Sequence, residues 1–149
     1  MKVELDINKG IRFENTNSNL LWDTHKDDVL LIDNPEIDDT KTFIRWKNVK
    51  LFGGNILNLS ISFDKYENPN DKVEYIRLED KKHNTPWETY DYYTKLFTSK
   101  FGSPNEIGEF QGKPHKIWKF NTVEIILGIG ERFIEYSVFV IKKRKPNNK

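Results

Sequence analysis

The residues of this chain that could do chemistry are few and scattered. Its three histidines, His25, His83 and His115, fall in predicted loops and helix ends, and none belongs to a two-histidine metal spacing such as H-E-x-x-H. There is no cysteine, which excludes disulfides, thiolate zinc sites and cysteine nucleophiles and fits a reducing compartment without requiring one. No G-x-S-x-G elbow presents a serine nucleophile. Gly128-Ile129-Gly130 opens like a dinucleotide fingerprint, but the third glycine is missing and a strand follows, so it reads as a hairpin turn. The run Asp64, Tyr66, Asn68, Asn70, Asp71 offers oxygen ligands without the central glycine and terminal glutamate of a calcium loop. Glu131 and Glu135 read as solvated charges on one strand, too far apart to couple as an acid and a base. No catalytic residue, cofactor or metal is therefore assigned, and an enzyme is not expected.

Charge distribution is more informative. Asp23, Asp27, Asp28, Asp33, Glu36, Asp38 and Asp39 are offset by Lys26 alone, whereas Lys142, Lys143, Arg144, Lys145 and Lys149 close the chain without an acid. The net charge of +1 hides this polarity. Part of the acidic run suits a helix N-terminus, where the backbone dipole favours negative charge. The rest would form a surface that steers in an electropositive partner and selects it by charge. The candidate contact residues are Asp23, Asp27, Asp28, Asp38 and Asp39, joined by Tyr92 and Leu96, which stand four residues apart on the outer side of a predicted helix. The basic end reads as a solvated tail.

The element that must position these groups is the stretch from Thr85 to Pro104. Thr85 can cap a helix with Pro86 at its first position and Glu88 as the capping-box acid, while Gly102 and Pro104 stop it. Trp87, Tyr90, Tyr93, Thr94, Phe97 and Phe101 fall on one stripe at helical period, the signature of core packing. Before it, Val3, Leu5 and Ile7 predict a hairpin with Ile11 and Phe13 through Asn8-Lys9-Gly10. Thr24 to Asp27 predict the cap of a helix of about two turns, ended by Asn34-Pro35. Strands follow at 43–52, with a bulge near Asn48, and at 57–63. The loop 65–71 reads as a seam, and a strand at 73–78 feeds the long helix. A polar stretch beyond Pro104 leads to strands at 117–120, 123–129 and 132–142 with turns near Asn121 and Gly130.

These elements predict an α+β fold with a largely antiparallel sheet and two helices on one face. Trp46-Lys47-Asn48-Val49 matches Trp118-Lys119-Phe120-Asn121-Thr122-Val123 with two residues inserted, which suggests a tandem β-α-β-β(-β) repeat with halves at about 1–68 and 69–142. At 149 residues, 36% hydrophobic and 13% aromatic, the chain suits one compact domain over 1–142 and a disordered basic tail over 143–149. The near-neutral balance gives no case for nucleic acid, and no apolar run approaches the roughly 18 residues of a membrane span. The N-terminus lacks the apolar core of a signal peptide, so the expected location is cytoplasmic, or outside it after loss of a leader.

The capped helix ending in Phe101-Gly102-Ser103-Pro104, the Trp-bearing strand and the aromatic-rich final hairpin resemble small bacterial immunity proteins that neutralise polymorphic or contact-dependent toxins. The halves also resemble, in topology only, the tandem saddle of TATA-box-binding-like domains, although a near-neutral chain lacks the basic concave sheet such a DNA reader needs. The first resemblance implies a non-enzymatic inhibitor of a toxin, a protein-binding module that would cover a basic cleft with the acidic surface. The alternatives are a small-ligand carrier with a pocket lined by Trp46, Trp118 and Phe101, and a homo-oligomer paired through the sheet.

Overall fold

A computed structural model describes residues 6–145. The chain divides into two compact units, Met1–Lys81 and Lys82–Lys149. Both are α+β, and the strand pairs described below are all antiparallel.

In the first unit β1 (Gly10–Phe13) pairs with β2 (Ser18–Leu21) around a turn that holds Asn17 at a φ of 61°. A hairpin pairs Ile11 with Leu20, both buried. Val3 and Leu5 lie outside the described residues. Helix α1 (Lys26–Val29) is only four residues long and is capped by His25, whose Nδ1 accepts the Asp27 N–H at 3.2 Å. Thr24, the predicted cap, instead donates its hydroxyl to the Leu21 carbonyl. Past Val29 the chain tightens into turns, with the Leu31 and Ile32 N–H groups bonded three residues back to Asp28 and Val29, and it enters left-handed geometry at Asp33 and Asn34. A meander follows, β3 (Glu36–Ile37), β4 (Phe43–Leu51), β5 (Asn55–Ser62) and β6 (Tyr75–Asp80), paired in that order. The predicted bulge is present between Trp46 and Val49, where Asn48 has a φ of 56° and its N–H reaches Asn58 Oδ1. Without that shift Ile44 and Trp46 would point opposite to Val49 and Leu51; with it all four are buried.

The loop read as a seam lies inside this unit. Asn68 is fully buried in it and makes four hydrogen bonds: Nδ2 donates to the carbonyls of Ser62 (2.8 Å) and Tyr75 (3.1 Å), and Oδ1 accepts the N–H groups of Glu74 (2.7 Å) and Tyr75 (3.0 Å). Asp64 turns its carboxylate onto the Tyr66 and Glu67 N–H groups. The oxygen-rich run therefore spends its ligands on its own backbone.

In the second unit α2 (Pro86–Phe101) has the predicted caps: Thr85 accepts the Glu88 N–H at 3.1 Å, and Gly102 ends it at a φ of 90°. Four antiparallel strands follow, β7 (Glu106–Phe110), β8 (Lys113–Lys119), β9 (Val123–Arg132) and β10 (Ile134–Lys143). Tyr90, Tyr93 and Phe97 face the sheet, where Phe97 meets Trp118 and Phe139 edge to face, while Trp87 sits at the margin. Buried rings of this size each contribute on the order of 2 kcal/mol or more. The Gly128-Ile129-Gly130 segment is not a turn, since β9 runs through it and the chain reverses at Phe133, where φ is 75°. Its glycines are needed for close approach. A Cβ at Gly128 would meet the Pro114 carbonyl at 2.9 Å, and one at Gly130 would strike the Tyr136 ring laid across it. The polar end is shorter than expected: Lys142 and Lys143 are rungs of β10, and Arg144 donates to the carbonyls of Phe120 and Thr122. Residues 146–149 lie outside the described residues.

The two units repeat one device. Trp46 donates its indole N–H to the Ile32 carbonyl just past α1, and Trp118 donates to the Gly102 carbonyl at the end of α2. The lysine after each tryptophan pairs with a glutamate of the preceding strand, Lys47 with Glu36 and Lys119 with Glu106. Each glutamate lies opposite the residue before the tryptophan, Arg45 or Ile117. The correspondence stops there, because β4 continues through Asn48 to Leu51 whereas the matching residues Phe120 to Thr122 reverse the chain into β9.

Candidate functional site

In the acidic run some carboxylates hold the first unit together and others are exposed. Asp33 accepts the hydroxyls of Thr16 and Ser18, tying the β1–β2 hairpin to the segment after α1. Glu36 binds the Arg45 guanidinium at 2.9 Å and Lys47 at 3.2 Å, and the hydrogen bond from Arg45, then that from Lys47, lowers its pKa. Asp38 closes the β3–β4 turn by accepting the N–H groups of Phe43 (3.1 Å) and Thr42 (2.9 Å) and the hydroxyls of Thr40 and Thr42. The Phe43 N–H, helped by those threonine groups, holds its carboxyl below the usual range. Asp38, a predicted contact residue, is thus first of all a turn former. Asp23, Asp27, Asp28 and Asp39 are exposed; the Asp27 side chain is 80% accessible, and the His25 ring approaches it at 3.6 Å.

Beside this surface lies an open cleft of about 290 Å³ with both polar and apolar walls, among them Asp33, Glu36, Arg45, Lys47, Trp46 and Val49. Its charged walls already pair with one another. Of the rings considered above as a pocket lining, Trp46 in the first unit and Trp118 in the second are buried with their N–H groups tied to the Ile32 and Gly102 carbonyls, and Phe101 stacks edge-on with Phe120 and tilted against Phe97.

In the second unit Tyr92 and Leu96 are both partly exposed on α2. Tyr92 is less free than its wheel position suggests, because its ring lies 4.7 Å from the His83 ring and the Lys82 ammonium sits 5.4 Å from its centroid. Larger apolar groups, which the sequence reading missed, emerge at the strand ends: Ile107 and Phe110 on β7, Phe133 at the β9–β10 turn, and Ile134 and Tyr136 on β10. The signal that could have found them is Gln111-Gly112, a two-residue turn flanked by alternating residues. It was hidden in a stretch rich in glycine and charge.

Glu131 and Glu135 are not neighbours along one strand; they face each other across β9 and β10. Lys113 stands between them, 2.6 Å from Glu135 and 3.9 Å from Glu131, and the Trp87 N–H also bonds to Glu135 at 3.1 Å. The Lys113 hydrogen bond, followed by that from Trp87, lowers the Glu135 pKa, and the same contact raises that of Lys113. This arrangement suits a fixed ion pair better than a proton donor. Among the described residues no three His, Asp or Glu side chains converge on a point that could hold a metal ion. Nor is any described helix long and apolar enough to cross a membrane.

No family model, curated protein or solved structure matches this chain.

Proposed function

We propose that this chain is a non-enzymatic protein-binding module that acts as an immunity protein, covering the basic cleft of a bacterial toxin domain with the acidic surface of its first unit. The reading is carried by one observation. Asp23, Asp27, Asp28 and Asp39 are all exposed on one short stretch. The unit that bears them has 16 acidic and 12 basic residues, a charge of −4, against 7 acidic and 12 basic residues, or +5, in the second unit. A surface of this kind accelerates encounter with a cationic partner and penalises an anionic one.

The test uses the toxin encoded beside this chain, or a partner captured from the native cell and purified. Association is followed by stopped flow at increasing salt. Asp27→Lys, Asp28→Lys and Asp39→Lys together should slow association at least tenfold and flatten its salt dependence. Asp38 is left intact in this design, since its loss would disturb the β3–β4 turn. Association of the triple variant at the parental rate would remove the mechanism.

A further inference from the structure

Among the described residues, the second unit ends in a strand edge that no other strand covers. We propose that β7 is a docking strand for an extended segment of another protein that carries a basic residue among apolar ones. The strands of this unit are ordered β10-β9-β8-β7, so β7 has a neighbour on one side, and among the described residues no strand pairs with the other. The phase of its hydrogen bonds follows from the turn. Gln111 and Gly112 have φ of 52° and 79°, the paired left-handed geometry of a two-residue type I′ hairpin. The residues flanking such a turn, Phe110 and Lys113, form a hydrogen-bonded pair, and alternation then aims the backbone of Glu106, Gly108 and Phe110 at β8. The N–H and C=O groups of Ile107 and Glu109 point outward. Pro114 fits this phase. It lies opposite Glu109, so its nitrogen, which has no hydrogen to donate, falls on the β9 side, and the β8–β9 pairing begins only at His115 and Gly128.

Proteins usually blunt such edges by shortness, lysine, proline or a bulge. The outer strand of the first unit follows that rule, being two residues long and bridged by Glu36, Arg45 and Lys47. β7 has five residues, no lysine or proline and an unbroken register, and Ile107 and Phe110 are each 71% exposed. Its charges select the occupant. In a unit of net charge +5 this strand carries only Glu106 and Glu109; Glu106 is taken by Lys119, and Glu109 has no ion pair among the described residues. A basic side chain across from Glu109 would complete it, an apolar residue next to it would cover Phe110 and another two positions away, on the same face, would cover Ile107, while an acidic strand would be repelled. A second copy of this chain fits less well. β7 against β7, centred on Gly108, would set Ile107 opposite Glu109 and Glu106 opposite Phe110, leaving Glu109 without a cation.

The proposal stands apart from the toxin reading, since the variants that test it lie in the other unit. A displayed library of random ten-residue peptides is selected against the chain. Enriched peptides should carry a basic residue with an apolar residue next to it and another two positions away, and should protect the Ile107 and Glu109 amides from hydrogen exchange. They should also lose at least tenfold in affinity against Glu109→Pro, which removes an outward N–H and no internal bond. Glu109→Lys should shift the selection to acidic peptides. The proposal is overturned if no peptide is enriched, if the enriched peptides leave those amides unprotected, or if Glu109→Pro binds them unchanged. It is also overturned by sedimentation that reveals a dimer abolished by Glu109→Pro, which would make the occupant a second copy.

Discussion

Replacing Asn68 by alanine should cost the first unit more stability than any other single polar change in its loops. The side chain has no exposed area and satisfies two backbone N–H groups, of Glu74 and Tyr75, and two carbonyls, of Ser62 and Tyr75. A buried donor or acceptor left without a partner costs about 1–3 kcal/mol. The carbonyls tolerate loss of one bond better than the N–H groups do. With the two orphaned N–H groups dominating, the expected loss is about 4 kcal/mol, a large share of the ~5–15 kcal/mol by which domains are stable. Urea denaturation read by tryptophan emission, together with hydrogen exchange at Glu74 and Tyr75, measures it. Each unit has two tryptophans, Trp22 and Trp46 in the first and Trp87 and Trp118 in the second, so single-tryptophan backgrounds separate their transitions. Asn68→Asp sharpens the test. It keeps the acceptor but sets a second oxygen against the Ser62 and Tyr75 carbonyls, which raises the folded-state pKa of the new carboxyl. Its penalty should therefore be full at neutral pH and shrink as pH falls through that raised value. A loss below about 1 kcal/mol for Asn68→Ala, with exchange at both amides unchanged, would refute the reasoning.

Other expectations concern charge and packing. Glu36 and Asp38 have lowered pKa values in the folded chain, so the stability they confer is present above the ordinary carboxylate range and is lost as pH falls through the depressed values. Asp38→Asn should accordingly flatten the acid limb of a stability-against-pH curve. Trp46→Phe and Trp118→Phe each remove the indole N–H that ties a strand to a helix end, and each should cost about 1–2 kcal/mol by urea denaturation. Gly130→Ala should destabilise by about 1–3 kcal/mol, because its methyl group would enter the Tyr136 ring. In a Tyr136→Ala background most of that penalty should vanish, which a double-mutant cycle measures.

What the sequence determined by itself is what local chemistry determines. Thr85, Pro86, Glu88 and Gly102 are read from nearest neighbours, so α2 and its caps stand where they were predicted. The bulge near Asn48 was legible because the phase of apolar residues breaks there, and the Trp-Lys match pointed to a geometry that recurs in both units. The tertiary structure alone decided which strand each strand meets and which polar atoms are spent inside. Asn68 looked like a loop residue because its four partners come from Ser62, Glu74 and Tyr75, which only the folded chain brings together. The glycines of β9 looked like a turn because their real constraint, the Tyr136 ring and the Pro114 carbonyl, arrives from other strands. Asp38 and Asp39 are indistinguishable in sequence. One closes a turn and the other faces water, because a carboxylate's role depends on which N–H groups the fold sets within reach.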